Sequence, residues 1–301
     1  IQSLANPERN YLYQRANPEN KNKLSFKPTE VSLHYSSWTS IPTLCTYDPS
    51  LGILDNRKDG LVSTERSVLE IQIKRYLDGA LSDTDWIAQG DPLTVPYARY
   101  KPIKTRRKVL SSQSFQGEFI KVLVRPFDTR SAFYSTIRPL WNEPRPSYVN
   151  QANRSAPSFA MRRQAKSSAP GCPFIWTRLV GMQHMLATDA YFVPVHWQDG
   201  EPKSAQIDDM FTPANAPATR ANLSPIARNY LATLGLPDPD QDSATAELLW
   251  MHALAIGYSP AYLADNADGI RQDWPRIPLP ATRARLLASA ELGRAVAALL
   301  D

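Results

Sequence analysis

Glycine is scarce in this 301-residue sequence, at 12 against 26 prolines, and there are only two cysteines and four histidines. That balance points to many fixed turns and few flexible linkers. Cys45 and Cys172 are too few for a disulfide framework, so a reducing cytoplasm is the expected setting. No apolar run approaches the roughly 20 residues of a membrane span, and the polar start carries no signal-peptide pattern. No membrane association is expected. The chain starts at Ile1 rather than Met and is expected to be a piece of something longer.

Most catalytic chemistries are missing their residues as well. There is no Gly-x4-Gly-Lys-Ser/Thr loop to cradle nucleotide phosphates, no Gly-x-Ser-x-Gly elbow and no His-Glu-x-x-His pair. His34, His184, His196 and His252 lie far apart, and neither cysteine has a partner at metal-ligand spacing, so no metal site is expected. Pro237-Asp238 with Asp240 matches the start of a metal-dependent nuclease signature. Its Glu-x-Lys continuation occurs only upstream, at Glu201 to Lys203. An amino-methylating enzyme grips a flipped base with an Asn/Asp-Pro-Pro-aromatic turn. Asn6-Pro7-Glu8-Arg9 and Asn17-Pro18-Glu19-Asn20 have only its first two letters, and no glycine-rich cofactor loop accompanies them. The chain reads as the half of an enzyme that selects a substrate, with no catalytic residues of its own. A hydrolase or nuclease whose site escapes these patterns, and a protein-interaction scaffold, are the alternatives.

What is present is positive charge, confined to one segment. The net charge is +5, but residues 101–180 hold 15 Lys/Arg against 3 Asp/Glu. Residues 1–100 hold 11 against 12, and residues 181–301 hold 8 against 14. A basic middle between neutral and acidic flanks is the footprint of a polyanion-binding face, or else a solvated surface.

Within that segment, Phe119 to Val124 predicts a strand that stops at Pro126, followed by a turn at Asp128-Thr129 and a returning strand over Ala132 to Ile137. Prolines 139, 144 and 146 then forbid regular ladders, so Trp141, Asn142, Glu143 and Arg145 ride on an ordered loop. Arg125, Arg130, Arg138 and Arg145 are interleaved with Phe127, Phe133, Tyr134, Trp141 and Tyr148. Guanidinium forks beside aromatic faces suit a surface that holds phosphates and reads or stacks on bases. The competing reading puts the aromatics in the core and pairs Asp128 and Glu143 with neighbouring arginines. On the first reading, Lys101, Lys104, Arg106, Arg107 and Lys108, on a helix beginning after Pro102, contact phosphates together with Arg154 and Lys166. Base readout then falls to Arg138, Asn142 and Arg145, and to Arg162, Arg163 and Gln183.

The remaining pattern is α+β, a mixed-strand region followed by helices. Leu24 to Asp48 suggests one or two strands, Ser67 to Leu77 a helix ended by Gly79, and Asp83 to Pro96 irregular chain. Asn150 to Pro173 is polar, Phe174 to Val180 and Tyr191 to Trp197 look like strands, and Glu201 to Ala221 has linker composition. Ser224-Pro225, Asp242/Ser243 and Ser259-Pro260 cap successive helices, and Thr282 to Leu300 closes the chain as another.

Three separated segments carry a family resemblance: Gly52-Ile-Leu-Asp-Asn-Arg-Lys-Asp-Gly-Leu-Val with Ile73-Lys-Arg-Tyr-Leu-Asp; Arg125-Pro-Phe-Asp-Thr-Arg with Tyr134 and Trp141-Asn-Glu-Pro-Arg-Pro; and Tyr258-Ser-Pro-Ala-Tyr with Trp274-Pro-Arg-Ile-Pro-Leu-Pro. In that order they resemble the C-terminal specificity region of the Type ISP restriction-modification enzymes. In that family a nuclease, a translocating ATPase, an adenine N6-methyltransferase and a target recognition domain share one polypeptide. The resemblance implies sequence-specific recognition of double-stranded DNA, directing adenine N6 methylation and restriction by domains outside this chain. It further implies a connector at 1–23 from an upstream methyltransferase domain, an α+β target recognition domain at 24–205, a linker at 206–221 and a helical subdomain at 222–301. Partners would be double-stranded DNA and the upstream methyltransferase and helicase domains. No cofactor is expected in this fragment; S-adenosylmethionine, ATP and Mg belong by resemblance to the parent polypeptide. The motifs locate a domain and leave its base readers unnamed.

Overall fold

The computed structural model describes residues 31–152, 156–164, 171–187, 189–198 and 219–301. The connector at 1–23, most of the linker, and Arg154 and Lys166 lie outside the described residues.

The fold is α+β, built on two four-stranded sheets. At the centre of the first is a hairpin of Glu118–Arg125 and Asp128–Tyr134, in register from Glu118 opposite Tyr134 to Arg125 opposite Asp128 with a bulge near its tip. Val62–Ser63 pairs with the second of these strands and Val180–Gly181 lies parallel to the first. The turn comes at Pro126-Phe127, two residues earlier than the sequence suggests. Phe127 takes the left-handed conformation there, with φ 66°, and Asp128 already belongs to the ladder. Helix Arg66–Leu77 buries Leu69, Ile73 and Tyr76, spaced four and three apart, in the core beneath this sheet.

The second sheet runs Ser50–Leu51, Ala190–Pro194, Ser158–Arg162, Phe174–Thr177, all antiparallel. Its strand Ser158–Arg162 lies in a stretch expected to be merely polar, and all five of its residues are buried. A strand covered on both faces shows no alternation, and this one is too short for its apolar centre to stand out against polar neighbours. Phe159 packs against both Phe174 and Trp250 of helix Ser243–Gly257, so the helical end and this sheet share one core. That helix lies along Arg283–Leu300, where Gly293 allows the close approach: a Cβ there would sit 1.8 Å from the Met251 carbonyl oxygen.

The expected N-caps are made, with Ser224, Asp242 and Ser259 accepting from the backbone N–H three residues on. Two short helices depart from expectation. Leu33–Ser37, capped by Ser32, stands where strands were expected, and Asp83–Ala88, capped by Ser82, where irregular chain was. Each begins on a serine accepting from the third residue along, so a local cap outweighs weak propensity.

The two sheets meet at Gly52, where the Ile53 N–H donates to the Gly181 carbonyl at 3.1 Å. A Cβ on Gly52 would stand 2.5 Å from that oxygen, which only glycine avoids.

Candidate nucleic-acid interface

The basic helix spans Pro102–Leu110 with proline at its first position, where the missing N–H costs nothing. Pro102, Thr105, Arg106 and Val109 face inward, while Lys101, Lys104, Arg107 and Lys108 are exposed. Arg106 therefore leaves the expected phosphate set. It is 2% exposed, with Nε donating to the Tyr76 carbonyl at 3.0 Å, Nη2 to the Asp78 and Leu81 carbonyls and Nη1 to Asp83 at 2.8 Å. It also lies over the Trp86 ring at 5.3 Å. Its spacing puts it on the apolar side of the helix, where it ties off the end of helix Arg66–Leu77.

The outer cations differ in how far they are compensated. Arg107 donates to Asp83 at 2.6 Å but stays 72% exposed. The Arg107 hydrogen bond is the largest cause holding the Asp83 carboxyl below the usual carboxylate range. Lys108 Nζ donates to the Arg138 carbonyl at 2.8 Å, which ties the basic helix to the proline loop. Among the described residues, Arg99, Lys101 and Lys104 have no ion pair and no side-chain hydrogen bond. Arg99, just ahead of the run, went unnoticed in the sequence because Tyr100 separates it from Lys101.

The proline loop is held from beneath by Arg57. Its Nε donates to the Leu140 carbonyl at 2.9 Å and Nη2 to that of Pro139, and its guanidinium lies 4.3 Å from the Tyr100 ring centroid. Burial pushes its pKa down, yet three carbonyl contacts keep the charge hydrogen-bonded. Leu54 and Glu143 exchange backbone hydrogen bonds at 2.9 Å. Trp141 is 0% exposed and donates from Nε1 to the Phe133 carbonyl at 3.0 Å, so it is core, as the competing reading had it. Arg138 and Arg145 share one carboxylate, Glu143, Arg145 at 3.5 Å. Asn142 is half-buried between them in sequence.

A third cluster forms at the hairpin tip. Phe127 is 74% exposed, and Arg125 beside it donates to the His184 carbonyl at 2.6 Å. Arg130 forks onto Asp128 at 2.9 and 2.8 Å. Gln183 donates to Asp189 at 3.0 Å, and its Oε1 is buried without a hydrogen-bond partner among the described residues. Arg162 is withdrawn from the surface, donating to the Gly171 carbonyl at 2.7 Å, and burial lowers its pKa. It leaves the expected base readers for that reason. Arg163 stays exposed, 3.7 Å from Asp273 and over the Trp274 ring at 5.6 Å. The structure thus brings Arg138, Asn142 and Arg145 together beside Lys108, and places Gln183 with the hairpin tip and Arg163 with the helical end.

Among the described residues, no three His, Cys, Asp or Glu side chains are grouped to hold a metal ion, and no helix is long and apolar enough to cross a membrane. The family model for the Type ISP C-terminal specificity domain matches residues 47–300. No curated protein matches the chain. Among solved structures, the fold is similar to an ATP-dependent Type ISP restriction-modification enzyme, LlaBIII, bound to DNA, with TM-score 0.62 and 14% identity over 90% of this chain. It is also similar to DrdV in a DNA complex, with TM-score 0.57 and 19% identity over 84% of this chain. A third likeness is to a nuclease-deletion mutant of the Type ISP enzyme LlaGI with a DNA substrate mimic, with TM-score 0.55 and 13% identity over 90%. The chain spans 17%, 23% and 20% of the length of those three chains. The family model spans most of the chain, residues 47–300, and the chain belongs to the Type ISP C-terminal specificity domain family.

Proposed function

We propose that this chain is the sequence-specific, double-stranded DNA target recognition domain of a single-polypeptide restriction-modification enzyme of the cytoplasm. The observation that carries the reading is the outer face of helix Pro102–Leu110, where Lys101 and Lys104 stand with Arg99 uncompensated and Lys108 bridges to the proline loop. Unpaired, exposed cations along one helix face suit the sequence-independent grip on phosphates. The adjoining loop, fixed by Arg57 and by the Leu54–Glu143 bridge, offers Arg138, Asn142 and Arg145 as forks and an amide held rigidly enough to meet base edges. Gln183 and Arg163 complete the candidate readers. The solved neighbours, described as bound to DNA or to a DNA substrate mimic, support this use of the fold.

On this reading the chain has no catalytic activity. Adenine N6 methylation and ATP-dependent restriction, with S-adenosylmethionine, ATP and Mg, belong to methyltransferase and helicase domains outside it. Selection of the chain against a pool of random duplexes tests the proposal. One short asymmetric sequence should be enriched, the bound duplex should remain uncut in divalent metal, and calorimetry should show no tight binding of S-adenosylmethionine. Retention of duplex without enrichment of any sequence, or cleavage by the chain alone, would contradict it.

A further inference from the structure

The first turn of the basic helix is built against its own electrostatics. A helix N-terminus carries partial positive charge and backbone N–H groups without intrahelical partners, so an acidic side chain or a capping hydroxyl ordinarily settles there. Here the N-cap is Lys101, no side chain caps the helix and the first turn has no acidic residue. Lys104 adds a second cation to that turn. Nothing in the local sequence offsets the charge.

Beside that turn lies a cavity of about 400 Å³ lined by Arg99, Lys101, Lys104, Thr105, Lys108 and Pro139. Four of its six lining residues are cationic and none is acidic. Thr105 is 1% exposed, and its hydroxyl has no hydrogen-bond partner among the described residues. A buried hydroxyl left unpaired is costly, as are cations crowded at the positive end of a helix. Both costs are removed by one event, the entry of an anion that accepts from several donors at once.

We infer that this cavity is a phosphate-binding site, in which Arg99, Lys101, Lys104 and Lys108 supply charge and the Thr105 hydroxyl and the helix N-terminus supply directed donors. A tetrahedral phosphate can accept from all of these together, which spreads the load of four cations over several oxygens. The inference deepens the target-recognition reading, since a phosphodiester of bound DNA would be the ligand and the site its point of registration. A free phosphate group has the same chemistry.

The experiment has two arms. In the first, the 301-residue chain is titrated calorimetrically with inorganic phosphate, with ionic strength held constant by chloride. One saturable site is expected, weakened about tenfold by Arg99→Ala or Lys104→Ala, the loss of one charge-assisted hydrogen bond. Thr105→Val should weaken phosphate binding while leaving the unliganded protein at least as stable, because it removes the unpaired hydroxyl and nearly keeps the volume. Phosphate binding no stronger than chloride, or undiminished in all three variants, would overturn the site. In the second arm, the selected duplex carries a neutral methylphosphonate at one position at a time. One position should lower the affinity of the unmodified chain about tenfold and have no effect on Lys104→Ala. Inorganic phosphate binding without any such coupled position would leave a free phosphate group as the ligand and overturn the DNA assignment alone. Duplex selection that persists without phosphate binding would remove the cavity and keep the target-recognition reading.

Discussion

The basic helix and the proline loop look alike in sequence and differ in what their charges face. Residues 101–180 contain only three acidic residues, Glu118, Asp128 and Glu143. Asp128 takes Arg130, and Glu143 takes both Arg138 and Arg145. The helix has no carboxylate of its own segment and borrows one, Asp83, which Arg106 and Arg107 share. Lys101, Lys104 and Arg99 are left over. A count of cations therefore overstates the loop and understates the helix as a polyanion surface. On the proposed reading the two do different work: the helix would hold a DNA backbone through free charge, and the loop would present forks paired to Glu143.

The largest effect that could break this contrast is on stability. Arg106→Met leaves Asp83 with one partner and several carbonyls short of a donor, and should cost about 3 kcal/mol in urea denaturation. Lys104→Ala should cost less than about 0.5 kcal/mol. Equal costs would mean that the two sides of the helix are not divided between scaffold and surface.

Next come the loop arginines. Arg138→Ala, Asn142→Ala or Arg145→Ala should each cost about 1 to 3 kcal/mol on the selected duplex if that residue reads a base, and little on random duplex. Lowered melting temperatures with an unchanged ratio between the two duplexes would reduce the loop to scaffold. Glu143→Gln sharpens the contrast from the other side. Freed of their shared carboxylate, Arg138 and Arg145 should behave as the helix cations do, raising affinity for random duplex a few-fold and steepening its salt slope by about 1. An unaltered slope would mean that Glu143 is not what restrains them.

The smallest effect concerns the helical end. His252 is buried, with Nε2 against the Pro278 carbonyl at 2.7 Å and Nδ1 against the Ser289 hydroxyl at 2.8 Å, and desolvation lowers its pKa. Below about pH 6.5 the unfolded chain takes up a proton that the folded chain refuses, so stability is full above that pH and falls as the pH drops beneath it. His196, half-buried, shifts in the same direction. His252→Gln should flatten the pH dependence of the melting temperature between about pH 6.5 and pH 5. An unchanged slope would assign that loss to other groups.

Much of this organisation was legible in the chain. The hairpin, the basic helix and the capped C-terminal helices follow from proline positions, serine caps and apolar spacing, all local signals. The buried strand Ser158–Arg162 was not legible, because its pattern has meaning only between Ala190–Pro194 and Phe174–Thr177, which come later in sequence. Arg57, Arg106 and Arg162 mark the same limit at the level of single residues. Arg106 and Arg162 read as surface cations and Arg57 as one letter of a family motif, and each is fixed by carbonyls brought near by the fold. Thr105 gave no signal at all, since an unpaired hydroxyl is a property of its surroundings. Of the family motifs, Gly52, Arg57 and Trp141 are scaffold, which is why they could locate a domain without naming its readers.

The most direct measurement is the salt dependence of duplex affinity for the unmodified chain and for the Lys101→Ala, Lys104→Ala double variant. With about five phosphates neutralised, log affinity should fall with log salt at a slope of about −4 to −5, and the double variant should lose close to 2 from that slope on selected and random duplex alike. A nearly flat dependence, or the same slope in both proteins, would contradict a backbone-holding role for the helix.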